Sequence, residues 1–155
     1  MTHTESDNRA HLTGRRILAV DYGTKATGLA VLRPEQVPYP LPYTRLMYKT
    51  DEMLILDLLR IVKEESIAAV VLGVPRLLDG KETTMTRRIL AFGAKLEEAL
   101  KPLPLYLQDE SLSTFEAEER MKASPRYNFK VDPRQLDALS ASIILEGFMQ
   151  NLTSE

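Results

Sequence analysis

Residues 67–72 read IAAVVL, apolar without a break, and end at Gly73-Val74-Pro75. A strand with one solvated face alternates apolar and polar residues; an unbroken, β-branched run belongs to a strand covered on both faces. The flanking sequence supplies the cover. Thr50 can cap a helix whose first turn carries Asp51 and Glu52, where acids complement the positive end of the dipole. Met53, Leu54, Leu56, Leu58, Leu59, Ile61 and Val62 make that helix broadly apolar. On the other side, Met85, Ile89, Phe92, Leu96 and Ala99 recur near helical spacing and predict a helix over 84–100.

Upstream, RRILAV (15–20) reads as a buried strand entering Asp21, followed by the turn-rich YGTKAT and a second apolar run, GLAVL (28–32). A short polar link between two such runs predicts a hairpin. Four of the nine prolines fall between Pro34 and Pro42, which forbids helix and confines any strand there to a sheet edge. YTRLMY (43–48) reads as a third strand. Downstream, Leu103 to Gln108 leads as a strand into Asp109-Glu110. Ser113 and Glu116 form a capping box that predicts a helix from Phe115 to about Ala123, residues 124–134 are a loop, and a last helix spans 135–151. The order is three strands, helix, strand, helix, strand, helix, helix. Alternation after a meander implies parallel strands with right-handed crossovers. The expected architecture is α/β: a ribonuclease H-like fold whose central mixed five-stranded sheet, three antiparallel then two parallel strands, is flanked by helices. Residues 15–150 form its single domain, and residues 1–14 read as a disordered tail.

Composition narrows the chemistry. The chain has no cysteine, and its two histidines, His3 and His11, lie in the polar N-terminal stretch. Thiol nucleophiles, zinc–thiolate sites and Ser-His-Asp triads are excluded, so carboxylates are the expected agents. The net charge of −2 announces no global basic field, so any nucleic-acid surface must be local. The longest apolar run is about half of the roughly 20 residues a spanning helix needs. No leader is visible, and a cytoplasmic location is expected.

Acids stand at several element ends: Asp21 after the first strand, Asp109 and Glu110 after the last, and Asp137 in the first turns of the last helix. Sites in parallel-type sheets form at the carboxyl ends of strands. Carboxylates converging there repel unless a cation holds them, and an all-oxygen set suits Mg²⁺ or Mn²⁺. Two such ions can activate a water and stabilise the leaving oxygen of a phosphodiester. Taken singly each acid has a plainer reading, as a turn former for Asp21 or as a partner of a helix dipole for the others. Their combination carries the argument. Strand alternation groups Asp109 with Leu105 and Leu107, and Glu110 with Tyr106 and Gln108, without choosing between the two.

Four segments in order, DYGTKATGLA from Asp21, GVPRLLDGKE from Gly73, DESLST from Asp109 and DALSASIIL from Asp137, resemble the YqgF family of pre-16S rRNA nucleases, also described as Holliday-junction-resolvase-like. The resemblance covers about residues 15–150. It implies a bacterial cytoplasmic nuclease that matures the 5′ end of 16S rRNA. It also implies a catalytic set of Asp21, Glu110 and Asp137, with Asp21, Asp109, Glu110 and Asp137 as candidate Mg²⁺ or Mn²⁺ ligands; the family pattern favours Glu110 over Asp109.

Three positions depart from the family pattern: Ala26 and Ser111 replace cations, and Leu32-Arg33 replaces acidic or hydroxyl residues. A local basic surface offers compensation. Thr24 and Lys25 follow the first acid, Arg126, Tyr127 and Lys130 interleave cations with a ring beside Phe129, and Arg76 and Lys81 lie near the 73–84 loop with Arg87 and Arg88. As plain solvated charges and turn residues they would have no partner. The expected partners are precursor 16S rRNA and ribosome precursors, with no membrane, for a monomer or homodimer. Two alternatives stay open: a Holliday-junction resolvase acting on branched DNA as a symmetric dimer, and a nucleic-acid-binding module with weakened catalysis. The D-x-G-T motif also opens the phosphate loop of actin-like ATPases, but those need a second lobe for which this chain has no residues.

Overall fold

A computed structural model describes residues 10–75, 82–110 and 113–153. Five strands, β1 (Ile17–Asp21), β2 (Ala26–Leu32), β3 (Leu41–Met47), β4 (Ala69–Val74) and β5 (Leu105–Asp109), form one sheet in the order β3-β2-β1-β4-β5. β1 pairs antiparallel with β2, and β2 with β3; β4 is parallel to both β1 and β5. The run that demanded two covered faces is thus an interior strand, and the proline-rich approach leads into the edge strand β3.

Helices α1 (Asp51–Glu64) and α2 (Thr84–Leu100) cover one face. Their apolar sides meet Leu18, Val20, Leu29, Val31, Val70 and Leu72 in the larger core cluster. Thr50 caps α1 as its sequence predicts, accepting from the Met53 amide at 3.1 Å. Helix α4 (Pro133–Thr153) covers the opposite face, packing Ala141, Ile144, Leu145 and Phe148 on Ile17, Ala19, Ala30 and Val71. Helix α3 (Ser113–Lys122) rests on α4 through Ala117, Met121 and Leu139.

Most expected boundaries shift by about two residues, and two of the shifts bear on the core and the site. The end of the expected tail belongs to the fold: Ala10–Leu12 form a 3₁₀ turn, and Leu12 is buried in the α4-side core because the sheet end leaves an apolar socket there. Helix α3 begins at Ser113 rather than Phe115. The Ser113 hydroxyl, expected to cap that helix, donates to Glu110 Oε2 at 3.2 Å. Residues 1–9 lie outside the described part. No helix among the described residues is long and apolar enough to cross a membrane.

Candidate active site

Strand parity places the acids. Asp21 shares a face with Ile17 and Ala19, which pack beneath α4. Glu110 shares parity with Tyr106 and Gln108. Tyr106 stacks on Phe148 with ring centroids 5.4 Å apart, and Gln108 accepts from Asn151 at 3.3 Å. Both acids therefore arrive on the α4 face, at the carboxyl ends of β1 and β5, with the end of β4 between them. Gly73 makes that span possible: a Cβ there would fall 3.2 Å from the Glu110 carboxyl carbon and 2.5 Å from Ile144 Cδ1.

Asp21 and Glu110 interact directly. Burial raises the Asp21 pKa well above the ordinary carboxylate range, and the charge of Glu110, a side-chain hydrogen bond with Glu110 and the charge of Asp137 act in the same direction. Burial also raises Glu110, opposed by its hydrogen bonds with Asp21 and Ser113. Close like charges resist double ionisation, so these two half-buried acids together hold a proton more firmly than either would alone. Asp109 is exposed and adds to the raised Glu110 pKa through its charge.

Asp137 stands further out. Its backbone carbonyl lies against Gly28, where a Cβ would fall only 1.9 Å from that oxygen. Gly28 is the cross-strand partner of Asp21. This glycine is thus the contact that seats the start of α4 beside the acid pair. The Asp137 side chain sits 3.7 Å from Arg45 Nη1 on β3; burial raises its pKa and Arg45 opposes the rise.

No three His, Cys, Asp or Glu side chains among the described residues form a ready-made metal cluster. The donor chemistry nonetheless fits a hard divalent cation. Two half-buried oxygen acids side by side disfavour their doubly charged form until a cation joins them, and Mg²⁺ commonly takes only one or two carboxylates, completing its shell with water and phosphate oxygens.

The turn after Asp21 is pinned from the opposite face. The Tyr22 hydroxyl donates to Asp51 Oδ1 at 2.7 Å and accepts from Arg88 Nε at 3.0 Å, while Tyr48 donates to the same Asp51 oxygen. Sequence reasoning missed this network, taking Asp51 for a dipole acid and Arg88 for a solvated cation. The only signal was a polar tyrosine adjoining a buried strand. Thr24 and Lys25 are exposed at the tip of this turn. Arg126 and Lys130 are exposed, whereas Tyr127 is half-buried against the α3–α4 cluster, so the surface ring of that loop is Phe129, 60% exposed. Arg76, Lys81 and Ser111 lie outside the described residues.

Arg120, near the end of α3, is held in ion pairs rather than presented to solvent as part of the basic surface. It donates to both carboxylate oxygens of Glu146, at 2.9 and 2.8 Å, and pairs with Glu116 one turn back. Arg120→Gln is expected to cost about 1 kcal/mol in a urea titration. It should leave the salt dependence of nucleic-acid binding unchanged, because the guanidinium is already spoken for.

A mixed sheet in this order, with acids ending β1 and β5 beneath a long last helix, defines a ribonuclease H-like protein of the resolvase type. The structure of Thermus thermophilus RuvC in complex with Holliday junction substrate is similar, with a TM-score of 0.56 over 88% of this chain and 96% of that one, at 12% identity. The fowlpox virus Holliday junction resolvase complex gives 0.53 over 89% and 99%, also at 12% identity. The chain itself belongs to the RuvX family, described as Holliday junction resolvase, whose model matches residues 15–151. A protein of Maridesulfovibrio salexigens named "Putative pre-16S rRNA nuclease" is 36% identical over 86% of this chain and 97% of its own length. A Rickettsia typhi protein of the same name is 32% identical over 84% and 81%. The YqgF resemblance expected from the motifs and the mixed five-stranded sheet both hold.

Proposed function

We propose that this chain is a nuclease that hydrolyses phosphodiester bonds of precursor 16S rRNA with the help of a divalent metal ion, Mg²⁺ or Mn²⁺. The carrying observation is that Asp21 and Glu110, from the ends of β1 and β5, meet across the end of β4, in a chain with no cysteine. Asp21 and Glu110 would hold the cation, and Asp137, further out at the start of α4, would add its charge beside them. A cation bound there supplies Lewis acidity toward a phosphoryl oxygen and lowers the pKa of a water.

The protein's own residues supply the rest. The Ser113 hydroxyl orients Glu110, and the Tyr22–Asp51–Arg88 network holds the backbone that follows Asp21. Thr24 and Lys25 at the turn tip, and Arg126, Phe129 and Lys130 on the loop before α4, offer phosphate contacts and a stacking ring; Arg76 and Lys81 belong to the same reading. rRNA as the substrate would place the protein in the cytoplasm.

A second reading, cleavage of branched DNA, is favoured by the family description. A third, binding with weakened cleavage, is favoured by Ala26, which lies buried at the start of β2 where the family resemblance places a cation. One experiment separates them. The protein is incubated with a precursor 16S rRNA fragment and with a four-way DNA junction, each with Mg²⁺, Mn²⁺ or EDTA. Metal-dependent cut ends on the RNA alone support the proposal. Paired nicks on the junction alone select the resolvase, and binding without cut ends selects the third reading.

A further inference from the structure

Arg45 plays no part in the readings above. In sequence it is one polar residue within YTRLMY. In the sheet it occupies a particular place: Arg45 pairs with Gly28, and Gly28 pairs with Asp21. Directly paired residues on adjacent strands share a face. Arg45, Gly28 and Asp21 therefore form one row on the α4 face, and the middle member has no side chain. The space over that glycine is taken by the α4 backbone at Asp137, so the guanidinium reaches the acid site beside Asp137 rather than straight across the row.

The guanidinium is loosely held. Its Nη1 donates to the Pro133 carbonyl at 3.4 Å and lies 3.7 Å from Asp137 Oδ2. Both contacts are long and both use the same nitrogen, whereas arginine carries five N–H donors in a planar fork. The side chain is one-third exposed. Pro133 ends the loop that carries Phe129 and Lys130, so Arg45 lies where that loop meets the acid site. A phosphodiester approaching Asp21, Glu110 and Asp137 meets several negative charges. A guanidinium on the same face relieves that repulsion, and its fork matches two phosphate oxygens.

We propose that Arg45 is a substrate-binding residue, whose guanidinium contacts a backbone phosphate of the nucleic acid beside the acid pair and is held in reserve by Asp137 when substrate is absent. The proposal rests on the nuclease reading and adds a residue to it.

The test measures binding without metal, so that it does not depend on cleavage. The full chain, Arg45→Gln, Arg45→Lys and Asp21→Asn are titrated in EDTA with a fluorescein-labelled single-stranded fragment of the precursor 16S rRNA 5′ leader, at several salt concentrations. Arg45→Gln should weaken binding about tenfold, the usual scale for losing a hydrogen bond to a charged group. It should also lower the slope of log K against log salt by about 0.7, the value for one single-strand phosphate contact. Arg45→Lys should keep the slope and lose less affinity, because it keeps the charge but not the fork.

A slope unchanged in Arg45→Gln overturns the proposal and leaves Arg45 as a brace for Asp137, whatever happens to affinity. The nuclease reading is judged separately, by metal-dependent cleavage in the wild type and its loss in Asp21→Asn. Cleavage intact with the Arg45→Gln slope unchanged sinks this inference alone. A wild type that neither binds nor cuts sinks both.

Discussion

Asp21→Asn is expected to abolish cleavage while making the metal-free protein more stable. The two effects share one cause. Asp21 and Glu110 are buried side by side, and their raised pKa values mean that the folded state holds a proton the unfolded chain would release. For an acid with a raised folded pKa, stability is fully present below the unfolded value and falls as pH rises toward the folded one. At neutral pH, above the ordinary carboxylate range, the wild type without metal therefore carries a penalty from the acid pair. Asparagine keeps the shape and removes one of the two charges. Thermal melts in EDTA should show Asp21→Asn at least as stable as the wild type at pH 7, with the gap closing as pH is lowered into the ordinary carboxylate range.

Metal reverses the order. A cation that binds only the folded state raises its melting temperature, so Mn²⁺ or Mg²⁺ should stabilise the wild type and not Asp21→Asn. That stabilisation should grow with pH, since the shared proton must leave before the cation enters. Cleavage in the variant should fall by about three orders of magnitude, the scale of losing several kcal/mol of transition-state charge stabilisation. Full cleavage by Asp21→Asn, or equal metal stabilisation of both proteins, would remove Asp21 from the site.

Gly28→Ala should be as damaging without touching an acid. A Cβ at this position would lie 1.9 Å from the Asp137 carbonyl oxygen and 2.3 Å from its carbonyl carbon. The obstacle is helix backbone, which has no rotamer to change, so α4 must lift from β2. The expected cost is about 3 kcal/mol, the upper end for overpacking, read from denaturant unfolding. Cleavage should fall about 10²-fold in the folded fraction, as a displacement near 1 Å of a site residue can cause.

Gly147→Ala on the same helix is the control. Its Cβ would meet the end of the Gln108 side chain at 3.1 Å, which can give way. Replacing a helical glycine also favours the helix by up to about 1 kcal/mol. That variant should be neutral or slightly more stable. Equal damage from both substitutions would mean that the close approach at Gly28 has no special role.

Much of this molecule was legible in its residues. The unbroken run 67–72 fixed an interior strand, the proline-rich stretch foretold an edge, and helical spacing set α1 and α2 close to their observed ends, because these signals depend on local periodicity and backbone restriction. Parity along β5 grouped Glu110 with Tyr106 and Gln108, and the absence of cysteine, with both histidines confined to the polar N-terminal stretch, left carboxylates as the agents. Parity could not say which group faced Asp21. That depended on α4 lying across one face, which brought Tyr106 to Phe148 and Glu110 to the acid pair.

The remaining features are products of tertiary contact. Ser113 reads as a cap because its neighbours in sequence form the pattern, yet Glu110 is its partner in space. Arg120 and Arg88 read as members of basic clusters because their partners, Glu146 and Tyr22, are 26 and 66 residues away. Gly28 reads as a turn residue because nothing local reveals a helix backbone pressed on it. The sequence by itself determined most of the elements, their order along the chain and the kind of chemistry, since these follow from patterns within a few residues. Only the tertiary structure decided which acids meet, what holds them apart from Asp137, and that Arg45 shares their row, because those relations join residues from strands and helices far apart in the chain.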